Sequence, residues 1–291
     1  MDLPREVAWD DSVSKRINDA VAAEVGRVRV CQKVFPTLVL GDAALDVPVD
    51  TVDLANFRVT EGVTRQFVEI FFEFSLSTAQ AKNEPKSMIC QTLSRMAAKT
   101  IALQEDAIIL RGQNAPLLPG VSVEAQASAG TGLLGAAAAI ADDNDPTRVS
   151  APIPVNPLDP QTPGVYGGAV FVAVTTGIAK LIRKGQAPAF ALLLPTRVYA
   201  DTFAPPGNQS LVTTADRIRP LVEGGFYGIG TLPEDRGLLV ALGGEPTVIY
   251  IGREAETEYV RQQGSRYFFR VTERVQFVAR DPRALVLLNF N

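Results

Sequence analysis

The sequence predicts an α+β chain in which mixed strands accompany one long helix. Three patterns carry that prediction. Apolar residues recur at helical spacing from Ile89 to Ile108. Val68, Ile70, Phe72, Phe74 and Leu76 fall on one face by strict alternation, as a strand with one buried face requires. A second alternating run, Tyr267 to Val278, leads through the turn Asp281-Pro282-Arg283 into a closing apolar strand, Ala284 to Phe290.

Taken in order, the elements begin with a helix capped by Asp10 or Asp11, with Val13, Ile17, Val21 and Val25 four residues apart and Gly26 as its stop. A stripe that narrow needs a partner to lie against. Short extended segments are expected at Val28 to Val34 and Thr37 to Leu40, divided by Pro36. Asn56 to Leu76 reads as a long hairpin turning at Gly62. One face carries Val68, Ile70, Phe72, Phe74 and Leu76; the other carries Phe67, Glu69, Phe71, Glu73 and Ser75. A two-stranded hairpin is marginal alone, so one this aromatic must pack on something else.

Pro85 then introduces a helix from Lys86 to Leu110, closed by Gly112, with Ile89, Leu93, Met96, Ala97, Ile101, Gln104 and Ile108 at helical spacing. At 1.5 Å per residue it spans roughly 37 Å, long enough for a spine. Gln113 to Gly164 changes character, with eight of the 20 prolines, an alanine-glycine run from Gly130 to Ala139 and the acids Asp142, Asp143 and Asp145. Such a stretch reads as a functional surface or an insertion. Val170 to Lys184 predicts a helix with Val170, Val174, Ile178, Leu181 and Ile182 inward; Ala189 to Leu194 predicts a buried strand. Pro195 opens a helix through Phe203, Ala204 to Ser210 is a loop, and Ala215 to Glu223 is helical. Gly237 to Leu242 and Thr247 to Ile251 are expected to form a hairpin across Gly243-Gly244-Glu245-Pro246.

Composition bounds the chemistry. The chain is 291 residues long, enough for one large domain or two moderate ones. Its formal charge of −4 is too mild to mark a nucleic-acid-binding domain. There is no histidine, which removes Ser-His-Asp and Cys-His catalysis and every histidine-ligated metal site within the chain. Cys31 and Cys90 are the only cysteines, too few for a thiolate zinc cluster and in keeping with a reducing cytoplasm. The polar, acidic start from Met1 to Asp11 is unlike a secretory signal, and no apolar run reaches the ~20 residues that span a bilayer, so no membrane role is expected. No cofactor, metal or catalytic residue is assigned.

Several motifs read as structure once weighed. Asp142-Asp143-Asn144-Asp145 lacks the ligand spacing, glycine and closing glutamate of a calcium loop and reads as a solvated loop. Gly224 to Gly230 lacks the Gly-Lys-Ser/Thr ending of a phosphate loop and reads as a turn. Glu105 and Asp106 point about 100° apart on a helix, so they suit helix-end electrostatics or intersubunit pairing rather than paired catalysis. Arg270, Arg274 and Arg280 read as a solvated or intersubunit face before a nucleic-acid strip.

An N-terminal amphipathic helix, an aromatic hairpin and a long helix ending Leu103-Gln104-Glu105-Asp106-Ala107-Ile108-Ile109-Leu110-Arg111-Gly112 together resemble the encapsulin plan. Gly132-Leu133-Leu134 resembles the segment that follows the spine. Ala189 to Tyr199 is similar to the axial-domain strand and the helix after it, and the closing strands match in order. The resemblance implies the tailed-phage major capsid fold. Residues 1–49 would be the N-terminal helix and arm, and 50–81 the extended loop. Residues 82–166 and 251–291 would form the peripheral domain, with 113–164 a long insert, and 167–250 the axial domain.

That resemblance implies a non-enzymatic subunit that self-assembles into an icosahedral shell. It would be either an encapsulin nanocompartment around cargo protein in a bacterial cytoplasm, or a virion capsid around phage DNA with scaffold, portal or decoration proteins. The compact N-terminus and the lack of a scaffolding segment lean toward encapsulin; the stretch 113–164, longer than the encapsulin pattern, leans toward a phage capsid. By position, Val13, Ile17 and Val21 would meet cargo on the inner surface. Phe67, Ile70, Phe72 and Phe74 would sit in the intersubunit hairpin, and Pro205, Pro206, Gly207 and Asn208 would form the symmetry-axis loop. With no lysine from Thr51 to Ala81, lysine crosslinking from that loop is not expected. The alternative from another class is a carboxylate-based enzyme or small-ligand-binding protein.

Overall fold

The computed structural model describes residues 7, 9–53, 58–60, 62–140, 150–158, 165–205 and 212–291. Helix α1 (Asp11–Val28) starts where the Asp10 carboxylate accepts the Val13 N–H at 2.9 Å. It runs through Gly26, a residue that costs about 1 kcal/mol inside a helix and that the packing of Val21 and Val25 outweighs. One helical turn, α2 (Cys31–Val34), then stands where extended chain was expected, because the Asp106 carboxylate takes the Val30 and Cys31 N–H groups and fixes the corner. Strand β1 (Thr37–Val39) follows Pro36.

The hairpin lies earlier than its expected place. β2 (Asp46–Pro48) pairs with β5 (Thr64–Gln66), and β3 (Thr51–Asp53) pairs with β4 (Arg58–Thr60), both antiparallel. Gly62 therefore lies within the second arm, between β4 and β5, and not at the turn between the arms. The aromatic strand β6 (Val68–Ser77) is no arm of this ribbon; it belongs to a larger sheet.

Ser77 and Gln80 form a capping box that starts α3 (Thr78–Lys82). Pro85 opens only the short α4 (Glu84–Ser87), and Met88 in the left-handed region (φ 51°) breaks the chain before the spine, α5 (Ile89–Arg111). The buried Glu84 carboxylate caps α5 by accepting the Cys90 and Gln91 N–H groups at 2.6 and 3.1 Å. Gly112 (φ 61°) ends it as expected; a Cβ there would lie 2.3 Å from the Gly132 nitrogen, so the two backbones cross at glycine.

The stretch after the spine contains β7 (Val121–Glu124), α6 (Gly132–Ala138) and β8 (Ile153–Val155). Then come α7 (Gly168–Arg183), β9 (Phe190–Pro195), α8 (Thr196–Asp201), α9 (Thr214–Ile218), β10 (Gly225–Ile229) and β11 (Arg236–Ala241). The chain closes with the long strands β12 (Thr247–Gln263) and β13 (Arg266–Ala279), then β14 (Leu285–Phe290).

The strands form two five-stranded sheets. The first has the order β1-β12-β13-β6-β7 and the second β10-β9-β11-β14-β8. β11 and β12 are not the expected hairpin: residues 242–246 carry the chain from the second sheet to the first, and residues 280–284 carry it back. β14 therefore leaves the spine's sheet and pairs with β11 and β8.

One core joins the inner faces of both sheets, with Val68, Ile70, Val271 and Val275 from the first and Leu193, Leu238, Val240 and Leu287 from the second closing around Ala97, Ile101 and Ile108 of α5. A separate core lies on the other side of the second sheet, where Val170, Val174 and Leu181 of α7 meet Leu192, Leu194 and Leu239. The second sheet is thus covered on both faces; the first is covered on its spine side, and on its other side only at one end, where Val47 and Phe67 pack on Val248, Tyr250 and Val278.

Candidate assembly surface

The ribbon β2–β5 and the residues beside it carry a group of exposed apolar side chains. Leu45, Val59 and Val63 are 75%, 63% and 76% exposed, and Leu38 and Val39 on the edge strand β1 are exposed as well. Two-stranded ribbons are marginal in water, so a surface of this kind needs cover.

The four residues expected in that ribbon lie elsewhere. Phe67 and Ile70 are buried, and Phe72 and Phe74 are partly buried. Ile70 packs in the spine core, Phe74 stacks on Phe269 at 5.9 Å, and Phe67 lies under the Arg274 guanidinium. For Ile70, Phe72 and Phe74 the reason is that β6 is held between β13 and β7, which turns its aromatic mass into the chain's own sheet; Phe67, just before β6, packs with Val47, Val248, Tyr250 and Val278. The signal for the real ribbon was the alternation of Asp46, Val47, Pro48 and Val49, shorter and less apolar than the run that follows.

Val13, Ile17 and Val21 are also buried, Ile17 and Val21 completely, against α5 and the far end of the first sheet. Their side chains pack the helix down within the chain, so any contact of α1 with cargo would fall to its other residues. Trp9 reinforces the same end by stacking on Phe269 at 5.2 Å and donating its indole N–H to the Ala81 carbonyl. The open side of α1 instead borders a groove of about 240 Å³ lined by Glu24, Arg27, Thr92, Arg95, Met96 and Lys99. The Arg27 hydrogen bond holds the Glu24 carboxyl below its usual range, with Arg95 also close.

Of the expected symmetry-axis loop, Pro205 is exposed just after α8, whereas Pro206, Gly207 and Asn208 lie outside the described residues. So does Asp142-Asp143-Asn144-Asp145. Phe203 beside Pro205 packs on Tyr199 and Phe226. Gly225 to Ile229 pairs in parallel with β9, so the glycine-rich motif is a strand rather than a turn.

Charged residues divide sharply between the two faces of the first sheet. On the outer face Arg270 sits between Glu73 and Glu258 in register and also reaches Glu69. Arg261 forms two hydrogen bonds with Glu73, and Arg274 donates to backbone carbonyls of Asp42 and Ala44. Arg280 donates to the Tyr250 hydroxyl. The three arginines are thus neutralised or engaged within the chain, and they form no bare basic strip.

On the inner face Glu273 is buried beside Arg29 and Glu105, and Asp106 binds the α1–α2 corner. Glu105 and Asp106 diverge as the helix requires, but their pairing is intrachain and not intersubunit. Burial pushes both carboxyls upward, most strongly at Glu105, where the Glu273 charge adds to it. This constellation was not foreseen; its trace is Glu273 standing on the apolar face of an alternating strand, between Val271 and Val275. Among the described residues no group of three acidic or thiol side chains is placed to hold a metal, and no helix is long and apolar enough to cross a membrane.

Residues 159–276 match the family described as encapsulating protein for peroxidase. No curated protein matches the sequence. The chain is similar to the virus-like particle of Pyrococcus furiosus, with 11% identity, a TM-score of 0.67 and 94% of this chain and 98% of that one covered. It is similar to the capsid of Myoviridae phage XM1 at 13% identity and a TM-score of 0.57, covering 91% and 92%. The holo-SrpI encapsulin complex of Synechococcus elongatus aligns at 11% identity and a TM-score of 0.55, covering 99% and 92%. Two sheets, a spine helix and a projecting ribbon, matched along almost the whole length of such shells, make this the fold shared by encapsulins and tailed-phage capsids.

Proposed function

We propose that the chain is a non-enzymatic structural subunit that self-assembles into a closed icosahedral shell. The observation that carries this reading is the ribbon β2–β5, where Leu45, Val59 and Val63 stand exposed among the described residues. A closed symmetric assembly repeats one modest contact many times, so a ribbon laid on a neighbouring copy gains cover at every position. The sheet carrying α5 would serve as the peripheral body, the sheet carrying α7 as the axial body, and Pro205 to Asn208 as the loop at a symmetry axis.

The finer reading is a nanocompartment around protein cargo, assembled in a bacterial cytoplasm. Its support is the match of residues 159–276 to a family of encapsulating proteins and the neutral outer face of the first sheet, which offers packaged DNA no basic strip. A virion capsid with scaffold, portal or decoration proteins is the second reading, favoured by the likeness to the phage XM1 capsid.

Electron microscopy and gel filtration of the purified protein test the shell. Closed particles are expected, and the double substitution Val59→Asp and Val63→Asp should reduce them to small oligomers with an unchanged circular dichroism spectrum. A wild-type chain that stays monomeric under mild conditions would overturn the proposal. Particles isolated from the native host that contain protein rather than DNA would establish the nanocompartment.

A further inference from the structure

Beside the C-terminal half of α5, three carboxylates and one guanidinium share a space closed to solvent. Glu105 and Glu273 are fully buried, Asp106 is 1% exposed and Arg29 is 5% exposed. Every element packed there contributes. Arg29, Cys31 and Gln32 come from the α1–α2 corner, Glu105 and Asp106 from α5, and Glu273 from β13, while Glu254 of β12 approaches Arg29 at 3.8 Å from the solvent side.

The carboxylates are served unequally. Asp106 has its own donors, the N–H groups of Val30 and Cys31 at 2.9 and 2.8 Å. Glu105 has the Gln32 amide at 2.7 Å and the Arg29 Nε at 2.5 Å, and Glu273 takes the other end of the same guanidinium. One guanidinium balances one of these two charges. Full ionisation would leave an excess negative charge in a buried place, which proteins avoid by keeping a proton.

We propose that this cluster is a proton-operated latch: α1 and α2 stay docked on α5 and β13 while the Glu105–Glu273 pair holds a proton, and they dock less firmly as rising pH removes it. The position suits the task. Arg29 ends α1 by donating its N–H to the Val25 carbonyl at 2.9 Å, and Asp106 anchors the first residues of α2, so the cluster is the corner where the N-terminal helix meets the spine.

Burial raises both Glu105 and Glu273 above the ordinary 4.5, and Arg29 stays charged throughout. A carboxyl raised by folding binds more proton in the folded state. Its stabilisation is complete below the unfolded value near 4.5 and is lost as pH rises through the folded value.

Hydrogen exchange of the α1 and α2 amides between pH 6 and 10, corrected for intrinsic rates, reads the latch directly. In the wild type the opening constant of residues 25–34 should rise by up to about tenfold per pH unit, the slope of one proton. Glu105→Gln and Glu273→Gln should flatten that slope. A pH-independent wild type, or variants with the wild-type slope, would overturn the proposal. Should the variants fail to fold, infrared spectroscopy of the wild type decides. The carbonyl stretch of a protonated carboxyl should persist at pH 7 and vanish with the loss of α1 protection, and its absence at pH 7 sinks the idea. These readouts follow the chain's own amides and carboxyls, so they hold whether or not the chain assembles.

Discussion

Strands β13 and β11 are each the middle strand of a five-stranded sheet, yet their sequences are written by different rules. β13 alternates in side-chain chemistry: Phe269, Val271, Val275 and Phe277 face the spine side, while Arg270 and Arg274 face the charged outer ladder. That ladder gives way to the buried Gln276 and Val278 at the end covered by Val47 and Phe67. β11 does not alternate, because Gly237, Leu238, Leu239, Val240 and Ala241 are all buried. The difference follows from cover. The second sheet has α7 on one side and the spine core on the other, so both faces of each strand must be apolar. The comparison teaches that alternation reports the number of covered faces and not the centrality of a strand. It also isolates Glu273, the one acid that breaks the inner-face rule of β13, as a residue with a special partner.

Removing that partner should give the largest effect. Arg29→Met keeps most of the side-chain volume but leaves Glu105 and Glu273 without their guanidinium. Breaking a buried pair from one side costs about 3–5 kcal/mol, and denaturant unfolding at pH 7 should show a loss of about 4 kcal/mol. Part of it should return at pH 5, where the two carboxyls can both be protonated.

The doubly covered sheet supplies the next test. Leu239 is fully buried on the α7 side, where it approaches Gly177 so closely that a Cβ on that glycine would meet its Cδ2 at 2.6 Å. Leu239→Ala should cost about 3 kcal/mol as a cavity that this packing cannot close. Gly177→Ala should also destabilise, by about 1–3 kcal/mol, because the same contact becomes overpacked. Thermal unfolding of the two variants would show whether the second sheet is as rigid as its cover implies.

Much of this architecture was legible because single-residue periods encode burial. The spine was readable from Ile101 and Ile108, the strands β9 and β13 from their apolar patterns, and the end of α5 from Gly112, whose positive φ and backbone contact leave no room for a side chain. What stayed hidden depended on partners distant in sequence. Val68 to Leu76 has the same period whether it forms a hairpin arm or an inner strand, and only pairing with β13 and β7 decides. The corner at Val30 and Cys31 is helical because an aspartate about 75 residues away, Asp106, takes their N–H groups. Likewise Gly243 to Pro246 looks like a hairpin turn, but it carries the chain between two sheets. Of the candidate site, the exposed ribbon was anticipated in kind but placed too late, because its polar, proline-broken strands are quieter than the aromatic run beside them.

The smallest effect belongs to the outer face of β13, and it is the sharpest check on the contrast with the inner one. Arg270 there pairs with Glu258 and Glu69, stands opposite Glu73 and lies over the Phe71 ring at 5.3 Å, so it too has two close carboxylate partners, as Arg29 has in Glu105 and Glu273. Its side chain keeps 28% of its exposure, however, and water competes for each of those partners. Arg270→Ala should therefore cost only about 0.5–1 kcal/mol in low salt, less as ionic strength rises, against about 4 kcal/mol and little salt dependence for the substitution at Arg29. Denaturant unfolding of the two variants at 0.05 and 0.5 M salt measures the contrast. Equal losses would mean that the number of charged partners governs stability in this sheet; unequal ones mean that burial does.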